Sequence, residues 1–114
     1  MQQLLEKRDV NSEELTSLLE ARKEGKVDFI LVDVREDMEY NAGHIKGVDM
    51  LKPTTTFQQW GQELFNETQE KTVIFTCRTG SRSGQVAGMF AQNGHKGAIN
   101  HYGGIMSYSG ETEQ

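Results

Sequence analysis

The sequence contains a single cysteine, Cys77, among its 114 residues, so no disulfide can form within the chain. A lone thiol is typical of proteins from a reducing compartment. No apolar run approaches the roughly 20 residues that a membrane-spanning helix needs. The first ten residues also lack the basic start and apolar stretch of a secretory signal. These absences predict a cytoplasmic protein that has no membrane partner.

Basic residues are in deficit, with 12 Lys and Arg against 17 Asp and Glu, and the net charge is -5. Binding to nucleic acid requires a basic face, so we expect no nucleic-acid partner. A local pocket can still be positive on an acidic body, and small anionic substrates remain possible. His95 and His101 show no metal-ligand spacing with each other or with Cys77. We therefore predict no metal and no cofactor.

Strand-like and helix-like segments alternate along the chain. Asn11 and Glu14 form a capping-box pattern that predicts a helix ending near Gly25. The short apolar runs at 29–34 and 72–77 are typical of strands buried in a parallel sheet. The pattern indicates an α/β fold, with a small, mainly parallel central sheet flanked by helices on both sides. We expect one domain over residues 1–114, with a frayed tail from about 110 to 114.

Further expectations concern helix ends and packing. Thr55 or Thr56 is the expected cap of a helix that places Phe57, Trp60 and Phe65 toward the core. A helix follows Cys77 and ends at Asn93 and Gly94, and its periodicity predicts a core position for Met89.

The segment that follows the second predicted strand combines features that favour an anion. Cys77 ends the strand, and ligands of open α/β sheets lie beyond the carboxyl ends of strands. Thr79 and Gly80 form a short flexible turn before a helix whose first N–H groups are unpaired and positive. Gly80 allows successive N–H groups to point inward as a nest.

The neighbouring side chains strengthen this prediction. Ser81 and Ser83 add hydroxyl donors, and one of them is expected to cap the helix. Arg78 and Arg82 add positive charge on both sides of the turn. All of these groups favour thiolate over thiol, so we predict an accessible Cys77 with a lowered pKa. Such a thiolate is a competent nucleophile at neutral pH.

Four residues separate Cys77 from Arg82, and this spacing resembles the active-site loop of the rhodanese-like sulfurtransferases. Cysteine-dependent phosphatases place five residues between their Cys and Arg, and here the next position is Ser83 rather than Arg. The shorter loop makes a smaller cradle, suited to a terminal sulfur atom rather than to a tetrahedral phosphate.

The resemblance extends over nearly the whole chain. The segments LVDVR, EY and GHIKG, at 31–35, 39–40 and 43–47, resemble the family's N-terminal signature. The pairs NG at 93–94 and GG at 103–104 resemble its helix end and closing turn. Lys46 and Tyr108 depart from the family, which often has Pro and Trp at those positions.

The resemblance implies sulfur transfer by a Cys77 persulfide. Thiosulfate or polysulfide would be the small anionic donor, and cyanide, a cellular thiol or a protein would be the acceptor. The loop from 78 to 83 would bind the anion. Three alternatives stay open: a small phosphatase or arsenate reductase, a non-catalytic rhodanese-like interaction module, and a sulfur carrier. A homodimer is plausible for so small a chain.

Three more charged or titratable residues are candidates for supporting roles. Asp33 and Arg35 end the first predicted strand, close to the expected active face. They either set the electrostatics of the loop or form structural ion pairs beneath it with Glu39 or Arg82, and we favour the structural role. His44 is a conceivable base, but a preformed thiolate needs none, so a hydrogen-bonded structural histidine is favoured.

Overall fold

A computed structural model of the protein describes residues 2–114, and it forms a three-layer α/β structure around a parallel sheet. The strands are β1 (Asp9–Val10), β2 (Ile30–Asp33), β3 (His44–Ile45), β4 (Met50–Leu51), β5 (Val73–Thr76), β6 (Ala98–His101) and β7 (Thr112–Glu113). The helices are α1 (Ser12–Lys23), α2 (Asp37–Ala42), α3 (Phe57–Glu67) and α4 (Ser81–Gln92), with 3-10 turns at Gln2–Glu6, Thr54–Thr56 and Ile105–Ser107.

The main sheet has five strands in the order β1-β6-β5-β2-β4, and every pair is parallel. All four residues of β5 are buried, which explains why this strand reads as a nearly continuous apolar run. Val73 and Phe75 contact one core cluster, and Ile74 between them contacts the other. Both faces of the sheet are therefore covered, and the predicted α/β class is confirmed.

The helices divide between the two faces. Leu15 and Leu18 of α1 belong to the cluster around Ile74, whereas Trp60 of α3 and Phe90 of α4 belong to the cluster around Phe75. The sequence of α1 specifies its start, because both hydrogen bonds of the Asn11–Glu14 capping box are present.

The C-terminal tail differs from the frayed segment that we expected. Thr112 and Glu113 form β7, which pairs antiparallel with β3 in the register His44 to Glu113. Lys46 N also donates to Glu111 O at 3.0 Å. The side chains of this strand are exposed, so the backbone pairing that orders it leaves no apolar signal in the sequence.

Two further expectations are wrong in detail. Thr56 occupies the N-cap position of α3, but its hydroxyl donates backward to Pro53 O at 3.1 Å and does not cap the helix. Met89 is 40% exposed, on the rim of a groove between α3 and α4 that Phe57 and Phe65 also line. Across residues 2–114, no helix combines the length and the apolar character that crossing a bilayer requires.

Candidate active site

Cys77 directly follows β5, the middle strand of the sheet, at its carboxyl end. The backbone around it is fixed by the 3-10 turn Ile105–Ser107. Ile105 N donates to Cys77 O at 2.9 Å, and Met106 N donates to Arg78 O at 3.0 Å. The segment that follows β6 is therefore hydrogen-bonded to the backbone of the first residues of the loop.

Gly80 turns the loop back onto the sulfur. It has φ +96°, and its N–H lies 3.1 Å from Cys77 Sγ, to which it donates. An added Cβ would collide with the Tyr102 carbonyl. Both the left-handed conformation and the close approach of Tyr102 require glycine at this position.

At the first turn of α4, the Cys77 sulfur occupies the position that a capping side chain normally takes. The N-cap residue is Gly80, and no side chain caps the helix, so the expectation that Ser81 or Ser83 would do so is wrong. The Ser83 hydroxyl instead lies 3.3 Å from Cys77 Sγ, and Ser81 is exposed. Amides at a helix N-terminus are directed at the position of an anion, and here that position is occupied by Cys77.

The electrostatics of Cys77 follow from these contacts. Burial opposes ionisation and by itself raises the pKa of the thiol. Hydrogen bonds from the Ser83 hydroxyl and from the backbone N–H groups of Ser83, Gly80 and Thr79 outweigh it, so the pKa lies below its ordinary value. The direction of the predicted shift is the one found in the structure.

The accessibility of Cys77 differs from the prediction, because the residue is only 1% exposed. The same contacts that stabilise the thiolate cover it: the Gly80 amide and the Ser83 hydroxyl both lie against the sulfur. Arg78 and Thr79 are the exposed residues next to it in the chain. The exposed part of the site is therefore the loop at Arg78 and Thr79, not the sulfur itself.

The two arginines of the loop have different surroundings. Arg82 makes two hydrogen bonds to the Glu39 carboxylate, at 2.8 and 2.9 Å. This contact lowers the pKa of Glu39 to about 2 and raises that of Arg82. Arg78 is exposed, and its side chain makes no hydrogen bond or ion pair within residues 2–114. Arg82 thus connects the loop to α2, whereas Arg78 is available to an anionic ligand.

Asp33 and Arg35 form a buried ion pair with each other, not with Glu39 or Arg82. Arg35 Nη2 lies 2.9 Å from Asp33 Oδ2 and also donates to Gly43 O at 2.8 Å. The pair therefore connects the end of β2 to the residue that follows α2.

The contacts of the His44 side chain are with α2 and β7. Its ring stacks on Tyr40 with centroids 3.7 Å apart, and its Nδ1 lies 3.1 Å from Tyr40 O. Its Nε2 lies 3.6 Å from a carboxylate oxygen of Glu113. Within the part of the chain that the structure describes, no three His, Cys, Asp or Glu side chains are grouped as metal ligands.

Two residues that contact the loop were not identified from the sequence. Asn100 accepts a hydrogen bond from the Ser83 hydroxyl at 2.6 Å and donates to Gly80 O at 3.2 Å. Gly104 has φ +64° and packs so closely on the peptide between Arg78 and Thr79 that an added Cβ would collide with it. The Gly-Gly pair at 103–104 was a signal of a closing turn, but nothing local marks Asn100.

The arrangement can hold one anionic sulfur and stabilise negative charge that develops next to it. Donors fixed before a reaction cost no reorganisation when charge appears, which is the principle of an oxyanion hole. The chemistry that this site supports is nucleophilic attack by sulfur.

Solved structures with the same architecture include a rhodanese-like domain protein from Staphylococcus aureus, with 27% identity and a TM-score of 0.71 over 92% of this chain and 94% of that one. A human single-domain sulfurtransferase, TSTD1, is 26% identical with a TM-score of 0.71, over 89% of this chain and 94% of that one. These similarities extend over nearly the whole of each protein.

Curated relatives include a protein of Streptococcus thermophilus named tRNA uridine(34) hydroxylase, 29% identical over 112 residues. The alignment covers 92% of this chain but 34% of that protein, so the chain spans about a third of the length of the curated relatives it matches. The family model described as rhodanese-like domain matches residues 14–111, which contain most of α1, all of α2 to α4 and the complete Cys77 loop. The chain belongs to the rhodanese-like domain family.

Proposed function

We propose that the protein is a sulfurtransferase that holds transferable sulfur as a persulfide on Cys77. The observation that supports this most directly is the Gly80 N–H, 3.1 Å from Cys77 Sγ, together with the Ser83 hydroxyl at 3.3 Å. These donors favour the anionic form of the sulfur, which is the nucleophile that the reaction needs.

The reaction has two steps that balance without an added oxidant. In the first, the Cys77 thiolate attacks the outer sulfur of thiosulfate, an S–S bond forms to Cys77, and sulfite leaves with the electron pair of the broken bond. In the second, cyanide or a thiolate attacks the outer sulfur of the persulfide, and Cys77 leaves as a thiolate. Polysulfide reacts in the same way, with a shorter polysulfide as the leaving group.

The donor is a small anion in this proposal, and Arg78 is the residue best placed to attract it. Arg78 is exposed beside Cys77, and its guanidinium is not engaged by any carboxylate within residues 2–114. The neighbouring Arg82 is held by Glu39 and acts as a brace. The acceptor is cyanide, a cellular thiol or a protein thiol.

The other candidate functions have less support. Four residues between Cys77 and Arg82 leave a smaller cradle than the five of phosphatases. A purely non-catalytic module has no use for donors directed at a thiolate. Hydroxylation of tRNA is not proposed, because the chain spans 34% of the relatives so named and has a net charge of -5.

The test is intact mass spectrometry of the protein after separate incubation with thiosulfate and with polysulfide. We expect a gain of about 32 Da, one sulfur atom, which cyanide or a thiol then removes. Because the chain has one cysteine, the added sulfur is assigned by the Cys77→Ser variant, which should fold but gain no mass. Absence of the adduct with both donors would contradict the proposal, and turnover of p-nitrophenyl phosphate would favour the phosphatase.

A further inference from the structure

The Ser83 hydroxyl has two acceptors and one hydrogen. Its oxygen lies 2.6 Å from Asn100 Oδ1 and 3.3 Å from Cys77 Sγ. A hydroxyl donates a single hydrogen and accepts through its lone pairs, so it cannot donate to both groups at once. The distance of 2.6 Å is that of a good O–H···O bond, which assigns the hydrogen to Asn100 as long as the sulfur is an uncharged thiol.

Gly80 fixes the orientation of the Asn100 amide. The Gly80 carbonyl can only accept, so the amide nitrogen must face it, and Nδ2 donates to it at 3.2 Å. The amide oxygen is then left facing Ser83. Gly84 provides the space, because an added Cβ there would lie 3.1 Å from Asn100 Nδ2. Asn100 therefore presents an acceptor to Ser83 and has no alternative orientation.

The charge of the sulfur decides where the hydrogen must be. A thiol can donate its own hydrogen to the Ser83 oxygen, while the Ser83 hydroxyl donates to Asn100. A thiolate has no hydrogen, and the Ser83 hydroxyl must rotate to the sulfur to avoid facing it with lone pairs. That rotation removes the only hydrogen that Ser83 can give to Asn100.

We propose that Asn100 is a positioning residue that holds the Ser83 hydrogen while the Cys77 sulfur is uncharged and yields it when that sulfur becomes anionic. The contact between Ser83 and Asn100 thus opposes ionisation of the free thiol. The hydrogen bond from Ser83 to Asn100 is present whenever the Sγ atom of Cys77 is uncharged.

The consequence for sulfur transfer rests on the proposed function. In a persulfide the charge lies on the outer sulfur, so Sγ is neutral and Ser83 can return its hydrogen to Asn100. Loading sulfur onto Cys77 then restores a hydrogen bond that the free thiolate had lost. Asn100 therefore favours the loaded form of the protein over the unloaded thiolate.

The charged or titratable side chains on the elements around Cys77 share one property, which is that none of them makes a hydrogen bond to the Ser83 hydroxyl. They are Asp33, Arg35, Glu36, Glu39, Arg78, Arg82, His101 and Tyr102. The pKa of Glu39 is about 2 and that of His101 about 4, so their charges are constant at neutral and alkaline pH. Groups that act equally in two variants cancel in a double-mutant cycle.

The experiment is such a cycle, read by the pH dependence of alkylation of Cys77 with iodoacetamide. The four proteins are wild type, Asn100→Leu, Ser83→Ala and the double variant. Asn100→Leu changes the midpoint pH of the profile in each background. We expect this change to be more strongly downward when Ser83 is present than in the Ser83→Ala background. The expected difference is about 0.5–1 pH unit, the value of one hydrogen bond.

Loosening of the loop cannot imitate this result, because loss of the Asn100 contact to Gly80 occurs in both backgrounds. Asn66→Leu, the same substitution on the exposed face of α3, should leave the profile where it is in wild type. Thermal unfolding of each variant establishes that it is folded. Equal shifts in the two backgrounds, or a larger upward shift with Ser83 present, would overturn the inference.

A second readout depends on sulfur transfer. In mixtures of thiosulfate and sulfite of fixed ratio, intact mass should show a smaller loaded fraction for Asn100→Leu than for wild type. If wild type never gains sulfur but the alkylation cycle shows coupling, the proposed function fails and the role of Asn100 stands. If wild type loads normally but the cycle shows no coupling, the role of Asn100 fails alone.

Discussion

Asp33 and Arg35 are charged residues at 1% and 5% exposure, and each neutralises the other. Replacing Asp33 by Asn leaves the Arg35 guanidinium buried without its counter-charge, which typically costs 3–5 kcal/mol. We expect urea unfolding of Asp33→Asn to show a loss of about 3 kcal/mol in the free energy of unfolding.

The comparison for Asp33→Asn is Glu24→Gln, which removes one partner of an ion pair on the surface with Lys26 and should change the midpoint little. If Asp33→Asn unfolds at the same urea concentration as wild type but gains no sulfur, the ion pair between Asp33 and Arg35 contributes to the reaction and not to the stability of the fold.

The sulfur site was predictable where its parts are adjacent in the chain. A strand, a cysteine, a glycine turn and a helix start follow one another from 72 to 83, and each constrains the next. Asn100 was not predictable, because it reaches Ser83 only through the pairing of β6 with β5, in which Phe75 is opposite Asn100. The burial of Cys77 was also missed, because it depends on how closely Gly80 and Ser83 pack against the sulfur in the folded loop.

At the scale of elements, α2 and α4 are joined by the contact between Glu39 and Arg82. The folded pKa of Glu39 is lowered from 4.5 to about 2, so its contribution to stability is complete above pH 4.5 and is lost as the pH falls toward 2. Both side chains are 32% exposed, so we expect the contribution to be about 1 kcal/mol at most.

Urea unfolding of wild type and Glu39→Gln over a series of pH values measures this contribution. The variant should be less stable than wild type at neutral pH, and the difference should vanish in acid. A difference that stayed constant with pH would show that the carboxylate charge has no part in joining the two helices.

The 3-10 turn after β6 and the Cys77 loop are in contact at Gly104. A side chain there would collide with the peptide between Arg78 and Thr79 and would also strain a φ of +64°. We expect Gly104→Ala to lower the free energy of unfolding by about 1–3 kcal/mol and to slow alkylation of Cys77, because the backbone behind the sulfur must shift.

Gly88→Ala is the matched control for Gly104→Ala, because nothing lies within 4 Å of a Cβ at that position in α4. It should be neutral or slightly stabilising. A Gly104→Ala protein as stable and as reactive as Gly88→Ala would mean that the turn does not support the loop.

The start of α1 was predictable, but the starts of α3 and α4 were not. The Asn11 side chain caps α1 with partners three residues away, and such a pattern is complete within the sequence. Thr56 instead bonds Pro53, and the first turn of α4 faces the sulfur, so the tertiary surroundings decide both. The strand β7 depends on β3, almost 70 residues earlier in the chain.

At the scale of the whole molecule, His101 connects three parts of the fold. It is fully buried, with Nδ1 2.8 Å from Thr76 Oγ1 and Nε2 2.8 Å from Ser12 Oγ. Burial lowers its pKa from 6.5 to about 4, so the unfolded chain binds a proton between these values and the folded protein does not. The part of the free energy of unfolding that depends on neutral His101 is therefore fully present above pH 6.5, and it decreases as the pH falls toward 4.

The expected loss is on the order of 3 kcal/mol. It is measured as the slope of the free energy of unfolding between about pH 6.5 and pH 4, for wild type and for His101→Gln. The variant should have a shallower slope whatever its stability at neutral pH. Equal slopes would show that His101 titrates in the folded protein as it does in the unfolded chain.

The class of the fold was predictable because strands and helices alternate, but the order of the strands was not. The edge strands β1 and β4 have two residues each, and β1 carries no distinct pattern and was not predicted. Their positions beside β6 and β2 follow from long-range pairing.

The central position of β5 restricts how Cys77 can become reactive. Strands are hydrogen-bonded to both of its edges, so fraying from the border of the sheet would have to release β6 or β2 before it reached the segment that ends at the thiol. A reagent that reaches Cys77 faster than global unfolding allows must therefore do so through local motion of the residues that cover the sulfur, Gly80 and Ser83 among them, and not through opening of the sheet. The rigidity of the sheet and the timing of access to the sulfur are thus separable properties of this molecule.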